Sequence, residues 1–152
     1  MALGVFSALT AGVGLLGASV TNHGTQLWYR RLRKPPFQPP SSTFRWVWPV
    51  LYGCTALSGW RVWNQPAGPA RSRALGLWAL QLGFNAAWSW LFFGKRRLKS
   101  ALVDNLALGT SIAAYMAAAR KVDRPAVALV APYLGWVCFA NLLNAEIVRR
   151  NR

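Results

Sequence analysis

The stretch "ALGLWALQLGFNAAWSWLFF", residues 74–93, runs for twenty positions without a charged side chain. A bilayer core of about 30 Å is crossed by about 20 such residues in helical form. Four further apolar runs accompany it, at residues 2–20, 44–63, 100–120 and 125–148. None shows the apolar alternation over about ten residues that a membrane β-strand requires. The expected fold is therefore all-α, an integral membrane bundle of five transmembrane helices. It takes in residues 1–152 as a single domain, with a Pro-rich loop at 21–43. No cationic segment precedes the first run, which reads as a retained span rather than a cleaved leader.

The charge distribution agrees with this. The chain carries 18 Lys and Arg against 3 Asp and Glu, and 54% of its residues are apolar. On a soluble domain that balance would point to nucleic acid, whose phosphates call for a clustered cationic face. Here the cations fill the gaps between apolar runs, which argues for a lipid setting and against nucleic acid. Twelve of them (Arg30, Arg31, Arg33, Lys34, Arg45, Lys95, Arg96, Arg97, Lys99, Arg149, Arg150, Arg152) fall on one side of the five-span topology. Arg61, Arg71, Arg73, Arg120, Lys121 and Arg124, six in all, fall on the other. The positive-inside bias then sets the N-terminus outside and the Pro-rich loop and C-terminus in the cytoplasm.

Polar residues inside spans carry the most information, because lipid offers them no partners. Trp78, Gln81, Asn85 and Trp88 recur at three- and four-residue steps, which places them on one helical stripe facing protein. The stripe has two readings: an interhelical hydrogen-bond clasp flanked by packed rings, or the wall of a ligand pocket with an amide to orient the guest. The fifth span repeats the mixture with Tyr133, Trp136, Phe139, Asn141 and Asn144, after Pro132 as a bend or packing break. Trp28, Trp60 and Trp63 flank spans and fit an interfacial belt. Trp136 does not, lying about 18 Å of helix away from residue 148.

The remaining polar and small residues invite plainer readings. Asp123 sits among loop cations and is expected to be solvated, whereas Asp104 lies near the 95–99 cations and is expected in a charge pair. Glu146 is one turn from Arg149 and Arg150. Cys54 and Cys138 read as small buried apolar side chains, and His23 is a loop residue without a companion ligand, so no metal or other cofactor is expected. Gly4, Ala8 and Gly12, and again Gly109, Ala113 and Ala117, form small-residue rows suited to close helix packing within the bundle, a homodimer seam being the alternative.

The segment "LRKPPFQPPSSTFRWVW", residues 32–48, joins the first two spans. Its prolines stiffen the chain, so that ordering it over a cavity mouth costs little entropy and lets it serve as a lid. A lipid-contacting basic loop or a linear ligand for a soluble partner are the alternatives.

Taken in order, "WYRRLRKPPFQPP", "WVWPVLYG", "FNAAWSWLFFG", "ALVD" and "PYLGWVCFANLLN" resemble the translocator protein family, also called tryptophan-rich sensory proteins or peripheral-type benzodiazepine receptors. The resemblance covers about residues 28–150. It implies a five-helix bundle, often dimeric, in a bacterial envelope or the mitochondrial outer membrane, binding protoporphyrin IX and benzodiazepine-type ligands beneath the first loop. By motif, the ligand-binding residues it implies are Tyr29, Trp48, Asn85, Ser89, Phe92 and Trp136, and Trp88 joins them from the helical stripe. Trp90 stands where many members carry proline, so the end of the third span is expected to be straighter and the pocket partly filled. Ala145 and Glu146 stand near the family's sterol-recognition tyrosine, which speaks against sterol binding.

The function expected is a membrane receptor or carrier of porphyrins and related hydrophobic ligands. An enzyme degrading porphyrin with a tryptophan as electron donor is the alternative, although no nucleophile, metal set or acid–base pair accompanies it. A scaffold that only assembles with other membrane proteins is the third.

Overall fold

The computed structural model describes residues 1–152, all helix and connection. The helices are α1 (Ala2–Ser19), α2 (His23–Arg31), α3 (Ser41–Trp63), α4 (Pro69–Ser89, continued as a π-helical turn Trp90–Gly94), α5 (Leu98–Ala119) and α6 (Arg124–Arg150). Five of them correspond to the expected spans. By length and composition α1, α5 and α6 are apolar enough to cross a bilayer. The helices α3 and α4, at 23 and 21 residues, are long enough but carry more polar side chains. Around the bundle the order is α1, α3, α6, α5, α4, closing back on α1.

Local chemistry fixes the helix ends. Asn22 caps α2 by accepting from the Thr25 N–H, and Asp123 caps α6 by accepting from the Ala126 N–H. Pro69 and Pro125 occupy first-turn positions, where a missing N–H costs nothing. Pro49 and Pro132 lie inside α3 and α6 on exposed faces, and both helices run on through them, so Pro132 does not end the fifth span.

At the end opposite the Pro-rich segment, side chains lock the helices together. Arg61 of α3 grips both Asp123 oxygens, at 2.7 and 3.2 Å. Ser58 donates to the Ala126 carbonyl and shares a hydrogen bond with the Tyr115 hydroxyl at 2.7 Å. The Trp78 indole donates to the Thr55 carbonyl. Gly59 lets Trp78 and Phe6 close over α3: a Cβ there would stand 2.6 Å from the Trp78 ring and 2.7 Å from Phe6.

Several expectations are corrected. Asp123 is not solvated; Arg61 and the α6 N-terminus take it out of water. Asp104 makes no ion pair, the three in the molecule being Arg61–Asp123, Arg149–Glu146 and Arg150–Glu146. The loop at 21–43 is helical over His23–Arg31, because the Asn22 cap and the Trp28 and Tyr29 contacts below stabilise a short amphipathic turn; His23 opens that helix. Cys138 is exposed on α6, not buried. Gly4 and Gly12 meet nothing within 4 Å, so that row faces away from the bundle, whereas Gly14 and Gly17 are the α1 glycines in close contact, with Tyr52 and Ser89. Of the second row, Gly109 packs near Val137 and Asn141, while Ala113 and Ala117 are exposed.

Replacing Gly59 by Ala should therefore destabilise the bundle by about 1–3 kcal/mol through overpacking, and Gly12→Ala should be close to neutral. Thermal unfolding in detergent micelles, followed by near-ultraviolet circular dichroism, distinguishes the two variants.

Candidate functional site

Between α3, α4 and α6 the side chains turn aromatic. Asn85 of α4 is the junction. Its Nδ2 donates to the Tyr133 hydroxyl of α6 at 2.5 Å, and its Oδ1 accepts from the Tyr52 hydroxyl of α3 at 3.0 Å. The sequence left a clasp and a pocket wall open for this stripe, and Asn85 and Trp78 make clasp contacts. Gln81 and Trp88 do not: both Gln81 amide atoms and the Trp88 Nε1 are buried without a hydrogen-bond partner.

From Asn85 a line of rings leads toward the Pro-rich segment. Trp48 lies 5.5 Å from Tyr52 and 6.4 Å from Tyr133, and Trp136 stands edge-on to Trp48 at 6.5 Å. Phe44 and Phe139 pack on Trp136 at 5.5 and 5.6 Å. The Trp136 Nε1 is buried and also lacks a partner. A second group surrounds buried Phe92, stacked on Trp88 at 5.0 Å, with Trp28 and Tyr29 edge-on at 5.9 and 6.0 Å. Phe44, Phe139, Trp88 and Phe92 share one apolar cluster, which joins the two groups.

The segment between α2 and α3 lies across this cluster as a strap. Pro35 is buried, and a turn from its carbonyl to the Gln38 N–H reverses the chain. Gln38 donates to the Tyr29 hydroxyl at 2.7 Å, its own Oε1 remaining unpartnered, and Phe37 meets Phe139 at 6.4 Å. Lys34 donates to the Tyr29 carbonyl at 2.6 Å while standing over the Tyr29 ring at 4.5 Å. Asn151 ties the strap to the end of α6, accepting from the Arg33 N–H at 3.0 Å and donating to its carbonyl at 2.9 Å. Burial raises the Tyr29 phenol above its ordinary value, the Gln38 hydrogen bond opposing it, and desolvation lowers the Lys34 ammonium.

Tyr29, Trp48, Asn85, Trp88, Phe92 and Trp136 are thus brought into one connected set of contacts. Ser89 is not, because its hydroxyl faces Gly17 on the α1–α4 seam. Trp28 packs on Phe92 and is no simple belt residue. Trp90 is exposed, with Lys95 5.1 Å from its ring centre, so it does not fill the interior. Nor does the helix run straight there: the backbone widens into the π-helical turn, a geometry common at functional sites. Tyr52, Phe44 and Gln38 were missed, although Tyr52 follows Trp48 by one helical turn and so shares its face. Two concavities of the molecule lie elsewhere, one among cations at the strap end and one outside α1.

Residues 6–150 match the TspO/MBR family. The chain belongs to it. It is 38% identical to the translocator protein of Bos taurus over 149 residues, covering 97% of this chain and 88% of that relative. It is 34% identical to the tryptophan-rich protein TspO of Chlorobaculum tepidum over 158 residues, covering 99% and 96%. The tryptophan-rich sensory protein of Cereibacter sphaeroides is 38% identical over 124 residues, covering 82% and 77%. As a TspO/MBR member the chain is a multi-pass membrane protein with the five-span bundle of the family. The short α2 and the strap lie between the first two spans of that arrangement.

Truncating Asn85 to Ala leaves the buried Tyr133 hydroxyl and the half-buried Tyr52 hydroxyl short of a partner and should cost about 1 kcal/mol of stability, read as a lower unfolding midpoint in micelles. A group whose folded pKa is raised contributes stability that is complete below its unfolded pKa and lost as pH rises past the folded one. The strap should accordingly hold unchanged up to the ordinary tyrosine value of 10.0 and loosen only above it. A phenolate-absorbance titration of wild type against Tyr29→Phe checks this, the missing phenol being one that titrates late.

Proposed function

We propose that this protein is a membrane receptor or carrier that binds porphyrins, protoporphyrin IX and haem-like tetrapyrroles among them, and related hydrophobic molecules. The binding space is the Trp-rich interior between α3, α4 and α6, beneath the strap. Residues 1–152 act as one five-helix unit, with the strap on the cytoplasmic side. The observation that carries the reading is the pair of buried indole N–H groups, on Trp88 and Trp136 within the aromatic clusters, that find no acceptor in the protein. An unmet donor in an apolar interior is costly, and a guest with acceptor atoms would relieve it.

A flat conjugated macrocycle suits the surroundings. Trp48, Trp136, Trp88 and Phe92 offer ring faces and edges, each contact worth about 0.5–1.5 kcal/mol beyond simple burial. Tyr29 and Gln38 hold the strap over the rings, so the binding space is roofed by chain that is already ordered. The rings now occupy their own space, and a guest enters by lifting the strap and turning the half-buried indoles of Trp48 and Trp136. Acidic substituents on the guest would lie toward the strap end, where cations outnumber acids.

Titrating the purified protein with protoporphyrin IX should quench tryptophan fluorescence to saturation. The double variant Trp48→Phe, Trp136→Phe should weaken binding by about fivefold, the equivalent of about 1 kcal/mol. Unchanged affinity in that variant would contradict the reading.

A further inference from the structure

At the strap end of the bundle, the turn between α4 and α5 and the end of α6 border an open concavity of about 310 Å³. Four cations line it: Arg96, Arg97, Lys99 and Arg152. No acid does. All three ion pairs of the molecule lie elsewhere, and Glu146 is already shared by Arg149 and Arg150. Asp104, the remaining acid, is one helical turn farther along α5 than Ser100 and does not line the concavity.

The floor of the concavity is the first turn of α5. Arg97, its N-cap residue, gives no side-chain cap, and the first backbone bond of that helix is Ala101 N–H to the Arg97 carbonyl. The N–H groups of Leu98, Lys99 and Ser100 thus remain free beside the Ser100 hydroxyl, at the positively polarised end of a 22-residue helix. Arg96 reaches this place with a left-handed backbone, φ 55°, the one such non-glycine residue in the chain, and its guanidinium leans over Trp28 at 5.6 Å. A glycine or asparagine would take that conformation with less strain. Leu98 and Val148 supply an apolar edge.

We propose that this concavity is a binding site for a phosphate-bearing anion, and that its occupant is the phosphate of an anionic lipid headgroup. Uncompensated cations around free N–H groups match a phosphate oxygen set. The apolar edge and the position at the end of three membrane-length helices favour a lipid over a free anion, since basic pockets between such helices receive anionic headgroups. The site is distinct from the aromatic interior and does not depend on porphyrin binding. Because Asn151 both lines the concavity and clasps the strap at Arg33, a bound headgroup would also steady the strap.

The test is native mass spectrometry of the full chain released from micelles holding equal phosphatidylglycerol and phosphatidylcholine, with and without added inorganic phosphate. Wild type should retain phosphatidylglycerol selectively. The variant Arg97→Gln, Lys99→Gln, Arg152→Gln should lose at least about tenfold of that retention. The charge-matched variant Arg73→Gln, Arg120→Gln, Lys121→Gln, altered at the opposite end, should keep it. Should the first variant fail to fold, Arg152→Gln alone, lying outside α6, should still lose about threefold. Displacement of the lipid by millimolar inorganic phosphate would keep the phosphate chemistry and reassign its source to a free anion. Equal retention by all variants, or no preference between the two lipids, would overturn the proposal.

Discussion

A side-chain amide inside a bilayer has no water to turn to, and that constraint organises the middle of this molecule. Asn85 meets it with two tyrosines, one on α3 and one on α6, so three helices are held at a common level by two hydrogen bonds. Everything around the junction follows from that spacing. Trp48, one turn from Tyr52, and Trp136, three residues from Tyr133, are drawn into ring contact because their helices are pinned there. The apolar packing of α3 against α6 adds van der Waals contact, which drives helix association in lipid together with interhelical hydrogen bonds. The polar clasp fixes where along the axis the three helices meet.

The two ends of the bundle are built differently. Opposite the strap, polar groups are largely consumed: Arg61 with Asp123, Ser58 with Tyr115 and a carbonyl, Trp78 with a carbonyl. Toward the strap, two indole N–H groups and a Gln38 oxygen are unmet, the α4 backbone widens into a π turn, and Arg96, Arg97, Lys99 and Arg152 line a concavity that holds no acid. Met and unmet polar groups are thereby divided along the helix axis. The closed end holds the helices, while the strap end leaves donors and charge unmet, as the proposed binding of a guest would require. Strap and α6 are joined by backbone-to-amide bonds at Arg33 and Asn151, which can open without disturbing the aromatic core.

Run length and the Trp78–Gln81–Asn85–Trp88 spacing were enough to read five spans and the inward stripe, because lipid forces long apolar segments and makes any polar residue inside them conspicuous. The order of motifs along the chain was enough to place it in its family. What stayed hidden depended on partners distant in sequence. Asp123 looks like a loop acid until Arg61, 62 residues earlier, arrives beside it. The Gly4–Ala8–Gly12 row looks like a packing seam, yet the helix rotation presents Gly14 and Gly17 instead, as Tyr52 and Ser89 need the room. Ser89 shares a motif with Asn85 but faces a different helix. The strap could be recognised as stiff from its prolines; that Gln38 and Lys34 fasten it to Tyr29 could not.

The proposed guest site requires that Trp88 and Trp136 keep their indole N–H groups free for a molecule lodged among α3, α4 and α6. Nitrogen-15 labelling of the tryptophan side chains allows each indole N–H resonance to be followed by NMR as protoporphyrin IX is added. The Trp88 and Trp136 signals should move together, saturably, while those of Trp78 and exposed Trp90 stay in place. Shifts confined to the exposed tryptophans, with Trp88 and Trp136 unmoved, would contradict it.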